Sequence, residues 1–191
     1  KQINRGSHVK EGKAYFLNGT TLIRIDNAFD DQGVETFAAA VLGEIPGEGR
    51  VSMADNGIQL MVLVPGGDAY IIDESSGTPF VKITDAGFTA NGNPQLVVFI
   101  DSFFVCSTDS KKYIKSAAND GINWNALDFG TAESDPDKIT SLHVHNNKLY
   151  IAGSETIEEH QNTGRGGFPF QRTGFFIEKG VYAPFSMISS K

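Results

Sequence analysis

The sequence predicts an all-β fold, a β-propeller or partial propeller built from antiparallel meander blades of about 45 residues. Three observations carry this expectation. A unit of three short strands joined by two tight turns recurs along the chain. Strand formers, among them 14 Phe, are interleaved with turn formers, among them 21 Gly. No segment combines a helical period with a capped start and a defined stop.

The elements follow in order. At the front, residues 14–17 and 21–25 flank Asn18-Gly19, the strongest short-range hairpin signal available. Residues 34–42 are rich in Ala but lack a capped start and run into Gly43, so they read as a strand. Residues 58–64, a turn at Pro65-Gly66-Gly67, residues 69–73 and residues 80–83 form the next copy. Residues 95–100, a turn at Asp101-Ser102, residues 103–107 and residues 112–116 form another. The last copy is the clearest. Residues 138–145 alternate as a half-buried strand should, and Asn146-Asn147 tolerates the positive φ of a two-residue loop. Residues 148–153 return, Ser154-Glu155 turns, and residues 156–161 run back until Asn162-Thr163-Gly164 stops them.

Aligning the second strands pairs Tyr15, Tyr70, Phe104 and Tyr150 at spacings of 55, 34 and 46, a mean of 45. Unequal spacings fit blades with loops of different length. One meander cannot bury both faces, so the copies must stack. Tyr70, Phe104, Val105, Leu149, Tyr150 and Ile151 are expected to line the cores between them.

The chain has 191 residues, enough for one good core or two small ones. Its net charge is −7, from 23 acidic and 16 basic residues, and no cluster of five basic residues occurs. That argues against a grip on nucleic acid, which rests on Lys and Arg neutralising phosphates. The longest apolar runs, residues 60–64 and 96–100, fall far short of the ~20 residues that span a bilayer. No leader pattern opens the chain, which does not begin with Met and is read as processed or as a piece of a longer protein. Cys106 is the only cysteine and sits in an alternating run, the setting of a buried, inert thiol.

Four features could carry chemistry. His143 and His145 share one strand face, but a metal needs a third ligand and Ser141 is a poor one; no metal and no cofactor is expected. Glu155, Glu158, Glu159 and His160 look like a carboxylate cluster of the kind that serves glycoside hydrolysis, but neighbours along one strand face opposite ways and such a pair comes from separate elements, so they read as a solvated outer strand. Residues 117–124, Ala-Ala-Asn-Asp-Gly-Ile-Asn-Trp, resemble the Asp-box hairpin of sialidases and related propellers. Asn119, Asp120, Gly121 and Trp124 are its candidate structural residues. Asn119 stands for the Asp and would bond turn amides, Gly121 would supply the strained φ, and Trp124 would cover the hairpin. Residues 163–170, Thr-Gly-Arg-Gly-Gly-Phe-Pro-Phe, lack the strand, helix and Lys of a phosphate loop. They read as a flexible connection in which Phe168, Pro169 and Phe170 are candidate assembly contacts.

A succession of segments is similar to the packaged-DNA stabilisation proteins of short-tailed bacteriophages. These are residues 47–55 (Gly-Glu-Gly-Arg-Val-Ser-Met-Ala-Asp), 123–129 with 132–137, 153–158, 162–164, and 168–170 with 178–180. They run in the family's order over about three quarters of the chain. The resemblance implies a virion tail component, a β-propeller of the tail nozzle that keeps packaged genome from leaking. It also implies copies of the chain in a ring, an adaptor below the portal and a tail needle or spike as partners, and assembly in the bacterial host cytoplasm. It brings no catalytic residues, no membrane partner and no tight hold on the passing DNA. Members of that family are longer, so residues 1–191 are expected to be one propeller-like domain from a longer tail protein. Two other readings stay open on the residues alone: a propeller enzyme of glycosidase or lactonase type, and a glycan-binding module.

Overall fold

In the computed structural model, which describes residues 3–132 and 138–189, sixteen strands form four antiparallel sheets. Residues 133–137, part of one segment that carried the family resemblance, lie outside the described residues. The first blade holds β1 (Asn4–Lys10), β2 (Lys13–Asn18), β3 (Thr21–Phe29) and β4 (Glu35–Glu44). The second holds β5 (Ser52–Asp55), β6 (Leu60–Leu63), β7 (Ala69–Ile72) and β8 (Phe80–Lys82). The third holds β9 (Pro94–Ile100), β10 (Phe103–Thr108), β11 (Lys112–Ala117) and β12 (Asp120–Thr131). The fourth holds β13 (Ser141–His145), β14 (Lys148–Ala152), β15 (Ile157–Asn162) and β16 (Phe170–Ile177). Within each blade the strands pair in chain order. The Ala-rich residues 35–44 are a strand, as their missing cap implies. The one helical element among the described residues is a 3-10 turn, Ala86–Phe88, and no helix is long and apolar enough to cross a membrane.

Tight turns set the register. Both loop residues have positive φ at Glu11-Gly12 (50° and 76°), Asp101-Ser102 (49° and 72°) and Asn146-Asn147 (46° and 57°). Those are type I′ values, whose twist matches that of the flanking strands. In the β2–β3 hairpin Asn18 pairs with Thr21, so the loop is Gly19-Thr20, one residue later than the sequence suggests.

Each blade buries one face against the next. Tyr15, Leu17 and Leu22 of the first blade meet Leu60, Val62, Tyr70 and Ile72 of the second. Met61, Leu63 and Ile71 on the second blade's other face meet Phe104, Cys106, Ile114 and Trp124 of the third. Val105 and Tyr113 on the third blade's far face meet Leu142, Leu149 and Ile151 of the fourth. The first strands lie innermost, where Val51 N–H donates to Arg5 C=O (2.9 Å) and Val97 N–H to Ser52 Oγ (2.9 Å). The outward face of the first blade is apolar and open, with Phe37 66% and Val41 69% exposed.

Two expectations need correcting. Residues 58–64, 69–73 and 80–83 supply the second, third and fourth strands of their blade, not the first three. The first strand is Ser52–Asp55, four residues without a β-branched side chain and flanked by glycines, which gave little strand signal. Tyr70 therefore belongs to a third strand, although its ring is buried between blades as expected. Tyr150 belongs to none of the three cores; it is half-buried and its hydroxyl donates to Glu159 Oε2 at 2.8 Å.

Candidate functional site

The inner strands line a cavity of about 1030 Å³ at the axis of the stack. Its wall comes from β1, the 47–53 segment, β9, β13 and the segment bearing Phe185 and Met187. Arg5 is its most constrained charge. The guanidinium donates to the carbonyls of Gly49 (2.9 Å), Gly19 (3.0 Å) and Ile45 (2.9 Å), pinning the connection between the first two blades. Burial lowers its pKa, while nearby Glu48 opposes that shift. Nη2 of Arg5 is buried with no hydrogen-bond partner among the described residues. Across the cavity the Arg50 guanidinium lies 4.2 Å from the centre of the Phe185 ring, a cation–π contact joining the first connection to the C-terminal segment. Ser52 Oγ is held by both the N–H and the C=O of Val97. Arg5 and Ser52 of this wall are thus engaged in holding strands and connections together.

The features singled out in the sequence lie apart from one another. His143 Nε2 meets Ser189 Oγ at 2.6 Å, and burial, then the neighbouring His145, lowers its pKa. Among the described residues no group of three metal-ligating side chains forms. Glu158 and His160 are not solvated, as expected of them, but buried at 2% and 3% exposure. Alternation turns both inward between the third and fourth blades. There His160 bridges Tyr113 Oη through Nδ1 and Glu158 Oε2 through Nε2, each at 2.9 Å. A polar pair two residues apart on a blade with an apolar inner face was the signal for this network.

In the Asp-box-like turn the roles differ from the motif. The amide is capped by Asp120, whose Oδ1 accepts from Ile122 N–H (2.9 Å), and not by Asn119. Positive φ falls on Asn119 (54°), and Gly121 is needed for a different reason. A Cβ at Gly121 would lie 2.5 Å from Ile71 Cδ1 of the second blade. Trp124 covers the turn and donates through Nε1 to Gly121 C=O at 2.8 Å.

The aromatic end of the glycine-rich connection faces inward. Phe170 is part of the core between the third and fourth blades, Phe168 packs edge-on to Tyr113 at 5.1 Å, and Pro169 is buried. These three residues are occupied inside the chain rather than presented to a neighbour; residues 163–167 are the exposed part. Cys106 is fully buried, and burial pushes its thiol pKa far up. A thiol reagent is therefore expected to leave it unmodified in the folded protein and to label it once denaturant is added. Rapid labelling under native conditions would contradict the burial.

The chain matches, over residues 2–191, the family model described as Bacteriophage P22 Gp10, beta-propeller. No curated protein sequence matches it. Among solved structures, apo AztD from Citrobacter koseri superposes with a TM-score of 0.60 at 14% identity, over 92% of this chain and 47% of that one. Myxococcus xanthus glutaminyl cyclase gives 0.46 at 14% identity, over 83% and 65% of the two chains. The Neurospora crassa Pan2 WD40 domain gives 0.49 at 10% identity, over 82% and 48%. At such identities the likeness to AztD bears on the fold alone. The chain spans about half the length of the AztD chain it matches.

Proposed function

The chain belongs to the phage P22 Gp10 β-propeller family, whose role is stabilisation of packaged DNA, and from that premise we propose that it serves in the tail nozzle. As a member it is a structural component of a phage virion. In this reading the protein sits below the portal, forms a ring with copies of itself, and contacts an adaptor above and a needle or spike below. It is a mechanical part and not an enzyme: it retains the genome and then offers a path for its ejection. The observation that carries the proposal is the family match, continuous from residue 2 to residue 191. The axial wall supports it, since Arg5 and Ser52 are engaged with backbone groups that hold adjacent blades.

Electron microscopy of purified particles labelled on this chain tests the location; absence from the tail would overturn it. Charge supplies a second test. With a net charge of −7, the protein is expected to show negligible binding to linear duplex DNA at physiological salt. Strong attraction to passing phosphates would slow ejection. Micromolar binding that weakens steeply with salt would count against a conduit role, and hydrolysis of a sugar or lactone lost on Glu48→Gln would replace it with an enzyme.

A further inference from the structure

The face of the fourth blade turned away from the third carries the residues with which the first blade clasps the second. In β1 and β2, His8 lies opposite Tyr15; in β13 and β14, His143 lies opposite Tyr150. Lys13 and Lys148 each stand two residues before the tyrosine. On the first blade these groups are used across the joint. His8 Nε2 meets Asp55 Oδ2, Lys10 Nζ donates to Ile58 C=O, and Tyr15 Oη donates to Glu74 Oε1, each at 2.6 Å. Tyr15 is fully buried by that contact.

On the fourth blade the same positions are only partly covered, and what covers them follows the same plan. Residues 185–189, Phe-Ser-Met-Ile-Ser, repeat residues 51–55, Val-Ser-Met-Ala-Asp, which enter and form β5. Ser189 contacts His143 as Asp55 contacts His8, at 2.6 Å in both cases and at separations of 46 and 47 residues. The approach is anchored alike. Ile45 N–H donates to Thr20 C=O (2.7 Å) and Val181 N–H to Gly153 C=O (2.8 Å), each in the turn after the second strand of the preceding blade. Ser52 and Met53 line the axial cavity, and so does Met187.

We propose that residues 186–189 begin the first strand of a further blade, and that the face bearing His143, His145 and Tyr150 is an inter-blade surface which that blade completes. Its occupant is a four-stranded antiparallel sheet of the same polypeptide. That sheet is apolar toward Ile157 and Ile177 and covers the Tyr150 ring as the second blade covers Tyr15, while the Tyr150 hydroxyl keeps Glu159 as its acceptor. His145, at the position of Lys10, reaches its first hairpin turn. A second copy of the first blade fits this role less well, because its open face is dominated by exposed apolar side chains such as Phe37 and Val41 and carries no carboxylate in the place of Asp55. The inference stands on the internal repeat and is independent of the tail function.

The test compares the 191-residue chain with the polypeptide carrying its natural continuation. Tetranitromethane should nitrate Tyr150 in the shorter protein and leave it protected in the longer one, as read by peptide mass spectrometry. Tyr150→Phe should lower the melting temperature more in the longer protein than in the shorter, while Tyr15→Phe should cost the same in both. Equal nitration of Tyr150 in the two proteins overturns the proposal, as does a natural reading frame that stops at Lys191. A dimeric 191-residue chain with Tyr150 protected would assign the face to a second copy and overturn it as well.

Discussion

Replacing Trp124 with Ala is expected to lower the unfolding free energy by about 3–5 kcal/mol, the range for deleting a buried large aromatic side chain. Trp124 is 6% exposed and packs edge-on against Phe88 with ring centres 4.8 Å apart. Its Nε1–H satisfies the buried Gly121 carbonyl, so truncation also strands an acceptor. The site has little room to relax, because the connection between the second and third blades is locked to it. Asp85 accepts from Gly87 N–H through Oδ1 (2.8 Å) and from Trp124 N–H through Oδ2 (3.0 Å). An added Cβ at Gly87 would stand 2.3 Å from the Trp124 carbonyl oxygen, a measure of how closely the two backbones approach. Trp124→Phe should recover part of the loss. Denaturation must be followed by circular dichroism, since Trp124 is the only tryptophan and its removal abolishes the tryptophan fluorescence signal. A loss below about 1 kcal/mol would mean that the ring is not part of the core.

Glu158→Ala is the second large effect, expected at about 3–5 kcal/mol because it breaks a buried pair from one side only. It leaves His160, 3% exposed, with its Nε2 deprived of Glu158 while Nδ1 stays committed to Tyr113. Arg172 Nε, 3.8 Å from Glu158, loses its counter-charge too. Replacing the pair together, Glu158→Leu with His160→Phe, should cost much less than Glu158→Ala alone, because no buried polar group of the pair is then left unmatched. Equilibrium denaturation of the three proteins decides this. A double variant as unstable as the single one would show that the network contributes net stability beyond satisfying its own members.

Much of the fold was legible because turns and periodicity are local. Asn146-Asn147 and Asp101-Ser102 fixed two hairpins, and the alternation of β10 and β14 sorted residues onto opposite faces. What failed was non-local. Ser52–Asp55 is a strand because β6 and β9 flank it, not because of its composition, and missing it shifted Tyr70 by one strand. Glu158 and His160 looked solvated because charge predicts exposure when partners are unseen, and Tyr113 lies 47 residues away. Phe168, Pro169 and Phe170 looked available because glycines precede them, yet a core two strands distant recruits them. Arg5 gave no signal at all. Its three carbonyl partners lie 14 to 44 residues along the chain, and nothing in Asn4-Arg5-Gly6 announces them.

Each of the three buried cores joins one pair of successive blades, and this radial arrangement has a consequence for how the molecule comes apart. Its three joints behave as couplings in series, so stability accumulates from one blade to the next rather than from a shared centre. The second and third blades are each braced on both faces. The first and fourth are braced within the chain on one, with lighter cover beyond. Loss of structure is thus cheapest from the ends and dearest at the Met61–Phe104 joint, and a defect there divides the stack into two pairs of blades instead of loosening the whole. Strain applied at one rim would be absorbed by the outermost joint before it reached the middle.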